Sequence, residues 1–224
     1  MRKHLAALLC GCTLGAAAVS AGEWIDLFNG KNLDGWVQRG GKARYTVENG
    51  EIVGRPVPNT PNSFLCTERE FGDFVLELDF KPMTGLNSGI QIRSQCFDEP
   101  HELVIGNRKI RIPAGRVHGY QVEIDPSDRA WTGGIYDEGR RGWLFPLKDN
   151  EAARKAFKPN AWNHFRIECR GDRIRTWLNG VPAADLKDGL TLRGFIALQV
   201  HNIGKKDPDG LEIRWRHIRL KELP

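Results

Sequence analysis

The chain has 224 residues, 40% of them hydrophobic, with 33 Lys and Arg against 28 Asp and Glu. With a mean hydropathy of −0.45, this balance excludes a collagen-like chain, a small disulfide scaffold and a fully disordered polymer. The length suits one domain, since all-β sandwiches run to about 200–250 residues as a single unit.

The first 21 residues read as a signal peptide. Arg2, Lys3 and His4 give a basic start, Leu5 to Val19 is apolar and small, and Val19-Ser20-Ala21 ends in residues that signal peptidase accepts. Leu9-Cys10-Gly11-Cys12 is an alternative, lipoprotein-type cleavage box. On either reading the protein is exported, to the periplasm or beyond. The apolar run is shorter than the roughly 20 residues of a spanning helix, so membrane insertion is not expected. Removing 1–21 takes away two basic residues and no acid, leaving a net charge of +3 from the +5 of the whole chain. That is too small for a nucleic-acid partner. Cys66, Cys96 and Cys169 remain, so at most one internal disulfide can form, and buried free thiols are the expected state.

The remainder, 22–224, reads as strands separated by turns, with no linker, repeat or low-complexity tract. Tyr45–Val47 and Glu51–Val53 flank Asn49-Gly50, a hairpin signal. Phe74–Phe80 alternates, followed by strands over Ser88–Arg93, Val104–Ile112 and Tyr120–Ile124. Only Asn150–Phe157 reads as a helix. Trp162–Cys169 and Ile174–Leu178 flank Gly171-Asp172, a second Asn-Gly turn lies at Asn179-Gly180, and Phe195–His201 and Leu211–Leu220 close the chain. Arg170-Gly171-Asp172 is read as a polar hairpin turn rather than an adhesion motif. Many short strands with turn signals predict an all-β sandwich of two antiparallel sheets with one short helix.

Alternate residues of a strand share a face. Three strands carry polar groups opposite their apolar face: Gln91 and Arg93, Gln121 with Glu123 and Asp125, and Gln199 with His201. A fixed cation, a carboxylate and an imidazole, each preceded by an amide, predict a shared binding face, provided that the three strands are neighbours. A solvated outer sheet face is the competing reading. Gly89 and Ala197 on the same face would leave room for a ligand. The loop after the second strand supplies Trp131, Tyr136 and Trp143, which could stack on a sugar ring, together with Asp137, Arg140 and Arg141. Glu123-Ile124-Asp125 partly resembles the Glu-x-Asp-x-x-Glu strand of laminarinase-type glycoside hydrolases. Here Asp128 stands at the third acid position, after Pro126, and the match is weak.

Residues 27–36 (LFNGKNLDGW), 45–52 (YTVENGEI), 87–93 (NSGIQIR), 119–125 (GYQVEID), Trp162-Asn163 and 199–201 (QVH) together resemble the 3-keto-disaccharide hydrolase domain family over nearly the whole mature chain. The resemblance implies a concanavalin A/LamG-like jelly roll with a sugar site on one sheet. It also implies an exported enzyme, a hydrolase or lyase of 3-keto-glycosides. A C3 ketone acidifies the C2 proton, so the chemistry needs a base, an acid for the leaving oxygen and a group to hold the enolate. Glu123 and His201 are the expected acid–base pair, in either order, and Arg93 the enolate partner. Gln91, Gln121 and Gln199, with Tyr136, Trp131 and Asp137, are the expected sugar contacts. No organic cofactor is expected. A divalent metal is one option, with Glu123 and His201, and Asp137 beside them, as ligands, in which case His118 is the alternative base. Two other classes stay open: a non-catalytic carbohydrate-binding module, and an ordinary glycosidase using Glu123 with Asp125 or Glu77.

Overall fold

The computed structural model describes residues 22–224, so the signal-peptide reading lies outside the described residues. In chain order the strands are β1 (Trp24–Asp26), β2 (Trp36–Gly40), β3 (Arg44–Glu48), β4 (Glu51–Arg55), β5 (Ser63–Phe71), β6 (Phe74–Pro82) and β7 (Ser88–Gln95). Then come β8 (His101–Ile105), β9 (Arg108–Ile112), β10 (His118–Ile124), β11 (Ile135–Glu138) and β12 (Gly142–Phe145). After helix α1 (Glu151–Ala156) follow β13 (Asn163–Arg170), β14 (Arg173–Leu178), β15 (Val181–Lys187), β16 (Gly194–Val200) and β17 (Ile213–Glu222).

Two antiparallel sheets form the predicted sandwich. One has the order β15-β14-β13-β6-β17-β4-β3, with β1 also paired to β17; the other has the order β12-β11-β10-β7-β16-β5-β2. The apolar halves of the alternating strands meet between them: Leu76, Leu78, Phe80, Phe165, Ile167 and Trp215 from the first, and Ile90, Ile92, Val122, Ile124, Ile196 and Leu198 from the second. Most of these side chains are completely inaccessible to solvent, each worth about 1.5–3 kcal/mol of burial. Both Asn-Gly pairs take the left-handed conformations that a tight hairpin demands, with φ of 53° and 77° at Asn49-Gly50 and 50° and 82° at Asn179-Gly180.

The helix appears where expected, with the Asn150 side chain capping it through the Ala153 amide. One element differs. The segment 104–112 is not a single strand: Gly106, with φ of 58°, turns it back, so that β8 and β9 form a separate two-stranded hairpin. Six further strands, β1, β2, β5, β11, β12 and β15, lie where the sequence pattern predicts none. The three cysteines are free thiols, and burial pushes those of Cys66 and Cys169 up to about 12.

The connection that matters for function is β10-β7-β16. These are the three strands with polar outer faces, and they are adjacent in the second sheet. Gln121 pairs directly with Gln91, and Gln91 with Ala197.

Candidate active site

A pocket of about 330 Å³ opens on the outer face of the second sheet, within the range of small-molecule sites. Its lining includes Gln121 and Glu123 from β10, Gln199 and His201 at the end of β16, and Tyr136 and Glu138 from β11. Asn62, Asn87, Arg116, Arg129 and Trp143 complete it. The β11 pair follows from alternation: Ile135 packs in the core and Asp137 is buried on that side, so Tyr136 and Glu138 point to the pocket.

Glu123 is 4% exposed at the pocket floor. Asn87 Nδ2 donates to its Oε1 at 2.7 Å and Gln121 Nε2 to its Oε2 at 2.7 Å. Burial pushes its carboxyl up to about 7; the two amides and Arg129 oppose this, and the Asp125 charge adds to it. His201 is half-buried at the rim. Its Nδ1 lies 2.9 Å from the Asn202 carbonyl oxygen. A carbonyl only accepts, so Nδ1 carries a hydrogen and Nε2 is the atom free to take or give a proton. Asn62 Oδ1 accepts from the Asn202 amide at 2.8 Å and holds this turn in place. Gln199 is fully buried, and neither its Oε1 nor its Nε2 has a partner. An unpaired amide lining a pocket is a pair of vacant hydrogen-bond positions for a ligand.

The carboxyl of Glu138 is also raised by burial, against the charges of Arg116 and His201; Arg116 donates to its Oε1 at 2.5 Å. Arg129 donates to Asp125 Oδ2 at 2.7 Å, and its guanidinium lies 4.7 Å from the Trp131 ring and 5.1 Å from Trp143.

Four sequence expectations need correcting. Arg93 does not reach the pocket. A bulge where β7 meets β16 puts Arg93 at φ of 46° and turns its side chain inward, to Gly72 O at 2.8 Å, Gly171 O at 2.7 Å and Asp73 Oδ1 at 2.8 Å. It is a structural tie between turns, and the Arg170-Gly171-Asp172 turn is one of its anchors. Asp137 is also buried away from the pocket, paired with Arg140 at 2.6 Å and Arg141 at 2.5 Å. Trp131 stands behind Trp143, edge-on at 4.8 Å, and packs against Leu147, Ala153 and Ala183. Gln91 lies beneath the pocket with both ends of its amide taken, by Gln121 and Ser94.

The small residues have a different use from the one expected. A Cβ on Gly89 would lie 2.5 Å from Gln121 Cγ and Cδ, so its gap is filled by Gln121. Ala197 is covered by Phe64, Cys66, Val117 and Phe195. His118 is buried outside the pocket against His101 and Phe97. Burial, then Arg140, His101 and Arg116, pull its imidazole down to about 4, so it is neutral at pH 7.

Of the expected metal ligands, Glu123 and His201 line the pocket while Asp137 is held by Arg140 and Arg141. Among the described residues no three His, Cys, Asp or Glu side chains gather with ligand spacing, and both Glu123 oxygens accept amide N–H bonds that a cation would have to share or displace.

Sequence reasoning missed Glu138, Arg116, Arg129, Asn62 and Asn87. Glu138 follows Tyr136 by two, a signal that was available. Asn87 opens the NSG segment already singled out. Arg116, Arg129 and Asn62 come from loops, where no periodicity points at a pocket.

The family model of the 3-keto-alpha-glucoside-1,2-lyase-like domain matches residues 23–221. No curated protein matches the chain. A crystal structure of a candidate glycosyl hydrolase from Parabacteroides distasonis superposes with a TM-score of 0.58 at 17% identity, covering 91% of this chain and 94% of the other. A Bacillus subtilis protein of unknown function with a galectin-like fold gives 0.59 at 11% identity, covering 91% and 96%. A Bacillus licheniformis β-glucanase gives 0.53 at 12% identity, covering 92% and 100%. These likenesses show the jelly-roll fold. The chain belongs to the 3-keto-α-glucoside-1,2-lyase-like domain family, a carbohydrate-active family.

Proposed function

We propose that this family member is an exported enzyme that cleaves 3-keto-glycosides by elimination, with Glu123 as the base and His201 as the acid. The observation that carries the reading is Glu123: one carboxylate, nearly inaccessible, aimed into a polar pocket and poised near neutrality. A base with that affinity is half ionised at working pH, where proton transfer is most effective. Export rests on the pattern of residues 1–21.

In this reading Glu123 removes the C2 proton of a sugar oxidised at C3. The electron pair passes into the C3 oxygen as an enolate. The carbonyl then re-forms as the C1–C2 double bond is made and the C1–O bond breaks. His201, entering the cycle as the imidazolium with hydrogens on both ring nitrogens, gives its Nε2 proton to the departing oxygen at the rim and is left as the neutral Nδ1–H imidazole. The products are an unsaturated keto sugar and a free aglycone, and water adding across the double bond would complete a hydrolysis. Gln199 Nε2, an unpaired donor, is placed to serve the developing oxyanion or a ring hydroxyl. Tyr136 and Trp143 offer ring faces and edges to the sugar.

An ordinary glycosidase is less well served. Asp125 is committed to Ser127, Arg129 and the Trp131 amide, and Glu77 lies on the other sheet, paired with Arg166 and Arg219. Glu138 shares the pocket with Glu123. However, the Glu138 carboxylate is taken by Arg116 at 2.5 Å, so it is engaged in an ion pair rather than free to act as the second group of a glycosidase pair.

The test is to incubate the mature protein with a 3-keto-glucoside and with its unoxidised parent, each with and without chelator. Aglycone release from the keto form alone, unaffected by chelator and abolished by Glu123→Gln, is expected. Cleavage of the parent would replace this reading with an ordinary glycosidase. Sugar binding without cleavage of either would make the domain a binding module.

A further inference from the structure

Beneath Glu123 runs a chain of side-chain hydrogen bonds that ends away from the pocket. Ser94 Oγ donates to Gln91 Oε1 at 2.7 Å, Gln91 Nε2 donates to Gln121 Oε1 at 2.6 Å, and Gln121 Nε2 donates to Glu123 Oε2 at 2.7 Å. Ser94, Gln91 and Gln121 are all 2% exposed or less. Alternation alone would put residue 94 on the face opposite residue 91. The bulge at Arg93 brings both to the outer face, which is how a serine three residues away meets the Gln91 amide.

Three glycines make room for the chain. A Cβ on Gly89 would strike Gln121 at 2.5 Å, and one on Gly119, whose φ is 144°, would strike Ser94 Oγ at 2.3 Å. A Cβ on Gly194 would meet the Ser94 carbonyl oxygen at 2.3 Å, so β16 also closes on the bulge only as glycine.

An amide is symmetrical in shape but not in polarity. Gln121 can face Glu123 with N–H, which suits a carboxylate, or with C=O, which suits only the protonated acid. The choice propagates: Gln91 must present N–H to Gln121 in the first case and C=O in the second. The far end biases it, because the hydroxyl can donate to Gln91 Oε1, or accept from Gln91 Nε2 and donate to a carbonyl instead. Of the acceptors within reach of the Ser94 hydroxyl, Gln91 Oε1 is the nearest, with the carbonyls of Ile92 at 3.2 Å and Tyr120 at 3.4 Å as the longer choices. A hydroxyl that donates to Gln91 Oε1 fixes the direction of every later bond.

We propose that Ser94 and Gln91, which do not line the pocket, are positioning residues that hold the Gln121 amide with its N–H toward Glu123. Their role rests on the reading of Glu123 as the base. The relay keeps that base available as a carboxylate in a site whose burial favours the neutral acid. Without the Ser94 hydroxyl, Gln91 and Gln121 can reverse together, and Glu123 then keeps its proton to higher pH.

The experiment follows the Glu123 carboxyl directly, by NMR of protein labelled with ¹³C at the glutamate δ-carbon, its signal identified by its loss in Glu123→Gln. Ser94→Ala should raise the titration midpoint by about one pH unit, the order expected for weakening one hydrogen bond to a charged group. Ser94→Cys, a weaker donor of similar size, should fall between. Gln91→Leu should raise the midpoint as well, and serves if Ser94→Ala does not fold. The acid limb of kcat/KM on a 3-keto-glucoside should move by the same amount. A midpoint unchanged in folded Ser94→Ala or Gln91→Leu overturns the relay, even if the enzyme cleaves 3-keto-glucosides. A midpoint that moves in a protein without that activity keeps the relay and removes the functional reading instead.

Discussion

Glu123 makes the folded protein pH-sensitive in a direction that can be worked out. Its carboxyl titrates at about 7 in the fold against 4.5 for the ordinary side chain. The folded state therefore binds the proton more tightly than the unfolded chain, and stability must fall as pH rises between these two values. Below about 4.5 both states are protonated and nothing is lost. Above about 7 both are ionised, and the burial of the charge is felt in full. At about 1.4 kcal/mol for each pH unit of separation, the full loss is about 3.5 kcal/mol, of which about 3 kcal/mol falls between pH 4.5 and 8. Replacing Glu123 with Gln removes the titration and leaves other groups nearly unchanged, so the difference between the two proteins isolates the effect. The variant faces two N–H donors with only one carbonyl, which costs a constant amount at every pH and cancels in the comparison. Urea unfolding of both proteins at pH 4.5, 6 and 8 should show the variant gaining about 3 kcal/mol on the parent from the lowest pH to the highest. In thermal unfolding, that is a relative shift of about 10 °C for a chain of this size. A stability difference that stays flat over the range would mean that Glu123 titrates as an ordinary exposed carboxylate, and the case for a tuned base would fail.

Two further substitutions separate structural from catalytic residues. Arg93→Ala removes a buried cation that ties Gly72, Asp73 and Gly171, and should destabilise the fold by about 3 kcal/mol in chemical unfolding; kcat/KM per folded molecule should stay unchanged, whereas a selective loss of turnover would return Arg93 to the active site. Gln199→Leu removes an amide with no partner, so the free protein should unfold about 1–3 kcal/mol later, while KM for the sugar rises at least tenfold; an unchanged KM would show that the amide does not meet the substrate.

The fold was legible because most strands obey one rule. Apolar residues at every second position, bounded by Asn-Gly or Gly-Asp turns, mark β3, β4, β6, β7, β10, β13, β14 and β16 with shifts of a residue or two at their ends. The missed strands break that rule. β5 is buried on both faces over Ser63–Thr67 and so shows no alternation. β11 and β12 are four residues each, too short for a period to register.

The site shows where alternation stops being a guide. It placed Gln121, Glu123, Gln199 and His201 together, because β10 and the end of β16 are regular and flank β7. It failed at Arg93, and for one reason: a single residue in the left-handed conformation shifts the phase of β7. Before the bulge, Gln91 faces outward as expected. After it, Ser94 takes the outward position that Arg93 should have had. Strand alternation alone points the Arg93 cation outward and turns Ser94 away from the site. In the fold the cation ties two turns on the inner side, and the serine terminates the hydrogen-bond chain that leads to Glu123. The same phase shift also explains Gly119 and Gly194, neither of which has a role in a regular strand. Each leaves out a side chain where β10 or β16 passes the displaced Ser94. A glycine without a turn to make, opposite a short polar residue in the neighbouring strand, is thus the sequence trace of a bulge. Here it leads to the residue that sets the polarity of the site.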